Sequence, residues 1–213
     1  MEQLLKNISR CKHMDSCLTH SDDKHPCFKI VQSQNESGIT QFQVPEPWSG
    51  RIDQSRILFI SSNPSIGPKG DFPCNDASDE YLIDYFTNRF GGGAKQWIRD
   101  GTHDLGPDGK YSNVKFWSSI KSRAKELIDG KVVPGEDYTL TEVVHCKSKK
   151  EIGVEEALNF CSQEYLEDVL SVSSAKVIVV LGAHATQSFC TLFSEVCICQ
   201  SKSAGICRCC LFE

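Results

Sequence analysis

RILFISSNPSIGP, residues Arg56 to Pro68, opens on an apolar run and stops in a cluster of serine, asparagine, proline and glycine. The pattern predicts a buried strand over Arg56 to Ile60 that empties into a turn, because β-branched side chains suit a pleated surface and Asn-Pro breaks a ladder. Two more runs follow the same rule: Thr139 to His145 (TLTEVVH) and Lys176 to Leu181 (KVIVVL), the latter ending at Gly182. Helical stripes lie between them. Tyr81, Leu82, Tyr85 and Phe86 recur at helical spacing within Ser78 to Phe90, and Gly91 to Gly93 ends that run. Phe116, Trp117, Ile120, Ala124, Leu127 and Ile128 form one stripe over Val114 to Ile128, and a third helix is predicted over Val154 to Leu170. Strands buried on both sides and alternating with helices predict a three-layer α/β/α domain around a short central parallel sheet. Its ligand sites then lie beyond the carboxyl ends of the strands. The residues standing there are Asn63 and Pro64, His145 and Cys146, and Gly182 and His184.

The 213 residues carry 23 basic and 28 acidic side chains, a formal charge of −5, and 39% are hydrophobic. That composition supports one well-packed domain and excludes a disordered, collagen-like or coiled-coil chain. Mild acidity argues against a wholesale polyanion binder and leaves room for a local basic patch. No stretch approaches the roughly 18 uninterrupted apolar residues that span a bilayer, and MEQLLKNISRCKHMD lacks the apolar run of a signal peptide. A soluble intracellular protein without membrane partners is expected, in the cytoplasm or, in a eukaryote, the nucleus. Three segments are expected: a Cys/His-containing arm over residues 1–50, the α/β domain over 51–189, and an atypical tail over 190–213.

Twelve cysteines fall short of the roughly 8 to 10% that marks a secreted disulfide scaffold. In a reducing compartment they read as metal ligands, catalytic thiols or buried fillers. The arm holds Cys11, Cys17 and Cys27 with His13, His20 and His25, and closes on VPEPW at Val44 to Trp48; an irregular segment with one short helix is expected there. The tail from Cys190 to Glu213 puts six cysteines in 24 residues with no clear period. Its C-x-C and C-C spacings are not those of a zinc ribbon, so a truncated or alternative end is preferred over a metal-binding one.

From about Val44 to Ala185 the chain resembles the uracil-DNA glycosylase superfamily. RILFISSNPSIGP resembles the first motif of these enzymes, with the Asn-Pro of the mismatch-specific and single-strand-selective branches. TLTEVVHCKSKKEIGVEEALNFC, Thr139 to Cys161, followed by AKVIVVLG, is similar to the iron–sulfur branch, family 4. The resemblance implies a DNA glycosylase that flips a uracil or other deaminated base and hydrolyses its N-glycosidic bond. It implies that Asn63 positions the attacking water, that backbone amides around Ser65 and Ile66 contact the base, and that Phe72 stacks on it. It sets Glu142 where an asparagine normally reads the uracil edge; an ionised glutamate there only accepts, and would repel a carbonyl unless protonated. Glu142 pointing away from the pocket is the competing reading. A monomer acting on DNA is expected.

The same resemblance implies a [4Fe-4S] cluster held by Cys146, Cys161 and two cysteines of the arm. The relatives use a tight C-x-x-C in the arm; Cys11 and Cys17 are taken here as the pair, with Cys27 as the substitute. Zinc using His13, or buried thiols without any metal, are the alternatives. The family ends on a His-Pro-Ser or His-Pro-Asn loop, which this chain lacks; His145 and His184 read as local structural histidines. A catalytically inactive nucleic-acid or nucleotide-binding relative, or a truncated product with a structural cluster, is therefore the alternative function, with a redox-sensing cluster protein as a third. YFTNRF, Tyr85 to Phe90, resembles a pocket-side helix of the mismatch-specific branch, and Lys147, Lys149 and Lys150 read as solvated surface.

Overall fold

A computed structural model describes residues 1–36, 41–66, 72–194 and 206–211, with only the backbone of 35, 36 and 206–211 considered. The arm forms three helices, α1 (Glu2–Ser9), α2 (Met14–Leu18) and α3 (Phe28–Glu36). This corrects the expectation of one short helix. Leu5 and Ile8 of α1, Cys17 of α2, and Ile30 and Val31 of α3 are buried in the same core as β1 and α6 described below, so tertiary burial stabilises helices too short to stand alone.

The strand β1 (Ile57–Ser61) is central in a sheet of order β5-β1-β6-β7. After it come α4 (Asp79–Thr87), the short strands β2 (Ile98–Arg99), β3 (His103–Leu105) and β4 (Tyr111–Asn113), and α5 (Lys115–Leu127). The chain continues through β5 (Tyr138–Glu142), α6 (Val154–Ser171), β6 (Val177–Leu181), α7 (Ala183–Leu192) and β7 (Ile206–Leu211). Strand β1 pairs in parallel with β5, Phe59 opposite Leu140, and with β6, Phe59 opposite Val179. A mixed α/β fold on a three-strand parallel sheet results, and the predicted strands and long helices stand within three residues of their expected bounds. Helix α4 starts where expected because the Ser78 side chain accepts from the Tyr81 N–H, a serine N-cap.

Side chains of β1 alternate between two cores. Leu58 and Ile60 join α1, α3, α4 and α6; Ile57 and Phe59 join Trp117, Ile120 and Ala124 of α5. Helices therefore cover both faces, as a buried parallel sheet requires. Gly153, with φ +78°, caps the start of α6, and a Cβ there would lie 2.3 Å from the Ile30 nitrogen, so the arm rests directly on α6 backbone.

Helix α7, the segment between α4 and α5, and the strand in the tail had no counterpart in the expectations. The segment between α4 and α5, expected as a polar loop, folds into an antiparallel sheet, β2-β3-β4. The cysteine-rich tail supplies β7, antiparallel to β6 with a register shift at Ile178/Val179. Cys197 and Cys199 lie outside the described residues. Among the described residues, no helix is long and apolar enough to cross a membrane.

Candidate active site

Parallel pairing of β1 and β5 continues past both strand ends. The Val143 N–H donates to the Ser61 carbonyl at 2.9 Å and the Val144 N–H to Ser62 at 3.0 Å. Farther on, the Ser148 N–H donates to the Pro64 carbonyl at 3.1 Å and the Ile66 N–H to Ser148 at 3.3 Å. Proline at position 64 has no N–H of its own, so the ladder passes through carbonyls and holds the two post-strand loops side by side. Asn63 is fixed there: its Nδ2 donates to the Pro64 carbonyl at 3.0 Å and to Ser148 Oγ at 3.1 Å, leaving Oδ1 as the end for an outside donor.

Beside this lace lies a cavity of about 300 Å³. That is the lower end of the size range of ligand pockets. Asn63, Ser65, Phe72 and Glu142 all line it, so four of the five residues expected to catalyse or bind a base share one space. Ile66 does not line it, and its amide is already spent on Ser148.

Deep in the same cavity sits a group of charges that are almost wholly dry. Glu46 is 3% exposed, Arg89 5%, Lys147 4% and Glu142 2%. Glu46 pairs with Arg89 and, through Oε2, with Lys147 Nζ at 3.6 Å; Ser49 Oγ donates to Glu46 Oε1 at 2.7 Å. The placement of Glu46 follows from the proline-rich segment. Pro45 and Pro47 keep it extended, Ser49 pairs with Leu140 beside β5, and the Glu46 N–H donates to the His145 carbonyl at 2.9 Å. Lys147, expected as surface, is buried with Nζ 3.2 Å from the centre of the Phe72 ring, whereas Lys149 and Lys150 are exposed. Arg89 lies among Phe72, Tyr85 and Trp117, at 5.6, 5.1 and 5.4 Å from their ring centres.

Burial alone would raise the Glu46 carboxyl, but Arg89 and Lys147 hold it below its usual range. Glu142 goes the other way. Burial first, and the Glu46 charge second, push it well above the ordinary value, with Arg89 and Lys147 opposing. Lys147 is brought down to about 8, chiefly by burial. His145 is also lowered by burial, to about 4, and its Nδ1–H donates to the Glu46 carbonyl at 2.7 Å, the structural role expected of it.

A raised carboxyl favours the folded state only while it keeps its proton in both states. The Glu142 contribution is thus complete below about 4.3, the unfolded value, and is lost as pH rises toward the folded value. Glu142→Gln, which cannot ionise, is expected to gain melting temperature over the native chain increasingly between pH 5 and pH 8. Thermal unfolding at both pH values checks this; an equal difference at the two would show that the fold does not raise Glu142 above the ordinary carboxyl range.

Four thiols converge on a second, small and apolar cavity between the arm and α6. Cys11, Cys27, Cys146 and Cys161 line it with His13, Phe160 and Tyr165, and all four are free thiols. Cys17 does not line it; its carbonyl accepts from Gln32 Nε2 at 2.6 Å and its side chain is in the core. The spacing of the arm explains the geometry: α2 turns Cys17 inward among its own packing partners, while Cys27 stands just before α3, which rests on α6. Burial pushes the Cys161 thiol up to about 12 and Cys146 well above its ordinary value, so both are neutral thiols until a cation displaces their protons. The Tyr165 hydroxyl donates to Cys11 Sγ at 3.3 Å, and the His13 Nε2 is buried without a partner.

The donor set suits a group that wants four thiolates. The open space, about 10 Å³, is that of a single water, so such a group would have to displace side chains of the half-buried Cys11 and His13. Among the described residues, no three His, Cys, Asp or Glu side chains stand close enough together to hold one metal ion.

Glu46, Arg89, Lys147, Tyr85, Asp104 and Trp117 line or floor the main cavity without having been assigned to it. Arg89 and Tyr85 had a signal in YFTNRF, and Lys147 had one in its position after a strand. Glu46 had none beyond a charged residue between two prolines. No protein-family model matches the chain, and a search of curated proteins finds no match.

Proposed function

We propose that the chain is a DNA glycosylase of the uracil-DNA glycosylase type, hydrolysing the N-glycosidic bond of uracil or another deaminated base in DNA. The observation that carries this reading is the meeting of Asn63, Ser65, Phe72 and Glu142 around one base-sized cavity at the carboxyl ends of β1 and β5. In this reading the Asn63 Nδ2 is held by Pro64 and Ser148 so that Oδ1 orients a water toward the sugar carbon. Phe72 stacks on the flipped base, with one ring face already covered by Lys147. Negative charge on the departing base is met by the Arg89 and Lys147 cations rather than by a histidine, since no histidine lines the cavity among the described residues.

Cys11, Cys27, Cys146 and Cys161 would hold a [4Fe-4S] cluster, with zinc as the alternative occupant. When bound, such a group supplies a structural cross-link between the arm, the loop after β5 and α6, and no part of the bond hydrolysis. A monomer is the state proposed. The missing histidine favours one rival, a binding module that flips or holds a base without cleaving it.

Single-turnover cleavage of single-stranded and duplex oligonucleotides carrying uracil, hypoxanthine or xanthine separates the two. Excision by the native chain and a loss of about 100 to 1000-fold in Asn63→Ala are expected, the range seen when one positioned polar group is removed from a transition state. Tight binding without excision from any of these strands would leave the binding module as the function.

A further inference from the structure

Among the described residues, the floor of the main cavity carries two buried polar atoms with no hydrogen-bond partner, Arg89 Nε and Glu142 Oε2, and only the second is an acceptor. Glu142 Oε2 is buried and makes no hydrogen bond within the chain, on a side chain that lines the cavity and is 2% exposed. An orphaned buried acceptor is costly, and a ligand that completes it is favoured in proportion. The groups facing Glu142 come from four elements. Glu46 lies on the segment before β1, Arg89 after α4 and Lys147 after β5, the Ser61 hydroxyl at the end of β1 acts weakly to lower the Glu142 pKa, and Asp104 of β3 is on the same wall. Both cations are engaged by Glu46. Glu142 therefore meets a neighbouring carboxylate rather than a cation of its own.

Resting on the reading of this cavity as a base pocket, we propose that Glu142 reads the ligand as a carboxylic acid. One oxygen accepts from a ring N–H while the other donates its O–H to the adjacent ring carbonyl. The ligand class is then a heterocycle with a lactam edge, a donor beside an acceptor, as in uracil, hypoxanthine and xanthine. A carboxylate in the same place would accept from the N–H and repel the carbonyl. Glu46 is the positioning residue: its charge occupies Arg89 and Lys147 and keeps the neighbouring carboxyl neutral. The arrangement does with an acid what an amide side chain does by covalent structure, and it makes recognition depend on pH.

The test uses the full chain and two oligonucleotides that cannot be cleaved, one with 2′-fluoro-2′-deoxyuridine and one with a difluorobenzene C-nucleoside, which has the shape of uracil and none of its hydrogen bonding. The ratio of their dissociation constants, followed by fluorescence anisotropy from pH 6 to pH 9, isolates the edge contacts. For the native chain a ratio of about tenfold is expected at pH 6, falling toward one as the acid ionises. Glu142→Gln is expected to flatten that profile, Glu142→Ala to bring the ratio near one throughout, and Glu46→Gln to move the fall to lower pH. A ratio retained by Glu142→Ala, or a native ratio that rises with pH, would overturn the acid reader while leaving the base pocket standing. A native ratio of one at every pH, or no binding to either strand, would overturn the base-pocket reading along with it.

Discussion

Replacing Glu46 with alanine is expected to cost about 3 kcal/mol or more of unfolding free energy, the effect of removing one partner from a buried ion pair. A surface pair would cost less than about 1 kcal/mol. The difference is burial: Arg89 and Lys147 are 5% and 4% exposed and have Glu46 between them. Without it, two cations are left in a dry site. Lys147 can relieve part of the penalty by releasing its proton, because burial already brings it down to about 8. Arg89 cannot, since a guanidinium stays charged in proteins. Glu142 supplies the other relief, by ionising and taking the place of the lost carboxylate. Glu46→Ala with Glu142→Gln should therefore cost more than the sum of the two single changes, by about 0.5 to 3 kcal/mol. Urea unfolding of the four chains at pH 7.5 measures both quantities. A single-variant loss below 1 kcal/mol, or strict additivity, would mean that the charges at this floor do not depend on one another.

The same group of charges shows where sequence reading stops. The strands were legible because β1, β5 and β6 are short runs buried on both faces, a pattern that survives without any knowledge of neighbours. The long helices were legible from their stripes and from the serine cap and glycines around α4. By contrast, α1 and α2 have eight and five residues, too few for a period to rise above a polar composition. The strands β2, β3 and β4, of two or three residues each, are shorter still. Lysines at 147, 149 and 150 look alike in sequence; only the lacing of Ser148 to Pro64 turns the first of them under the pocket and leaves the others outside. Glu46 is more extreme, since its function as a counter-ion exists only once Ser49 has paired with Leu140 and brought it beneath β5. Asn63 was legible because residues at the carboxyl ends of parallel strands face a crevice by topology alone, whereas Glu142 was reached only through the resemblance of its strand to that of a known family.

Cys27→Ala is expected to abolish metal loading of anaerobically purified protein, while Cys17→Ala retains it. The two residues share a short arm, and composition does not separate them. Geometry does: Cys27 shares a cavity with Cys11, Cys146 and Cys161, whereas Cys17 faces the hydrophobic core. Cys17→Ala then removes one small buried side chain, a cost of about 1 to 2 kcal/mol on the scale of a buried methylene or two with its cavity. On the proposed reading, Cys27→Ala removes one of four ligands, and with it the binding free energy that a structural site returns as folding free energy, about 10 to 16 kcal/mol for zinc in small domains. Iron, sulfide and zinc analysis of the native chain and both variants, with absorbance near the visible thiolate-to-iron bands, reads the occupant and the loss together. Acid should act in the same direction as Cys27→Ala. Burial holds Cys146 and Cys161 as neutral thiols, so the bound cation competes with protons there, and loading falls as pH falls. Loading lost in Cys17→Ala and kept in Cys27→Ala would return the ligand set to the spacing first read in the arm. Native protein free of metal would instead leave the four thiols as packing, and the arm would then be held to α6 by Leu5, Ile8, Ile30 and Val31, by the Lys12–Glu164 and Lys29–Glu156 ion pairs, and by the His13 and His25 rings against Phe160.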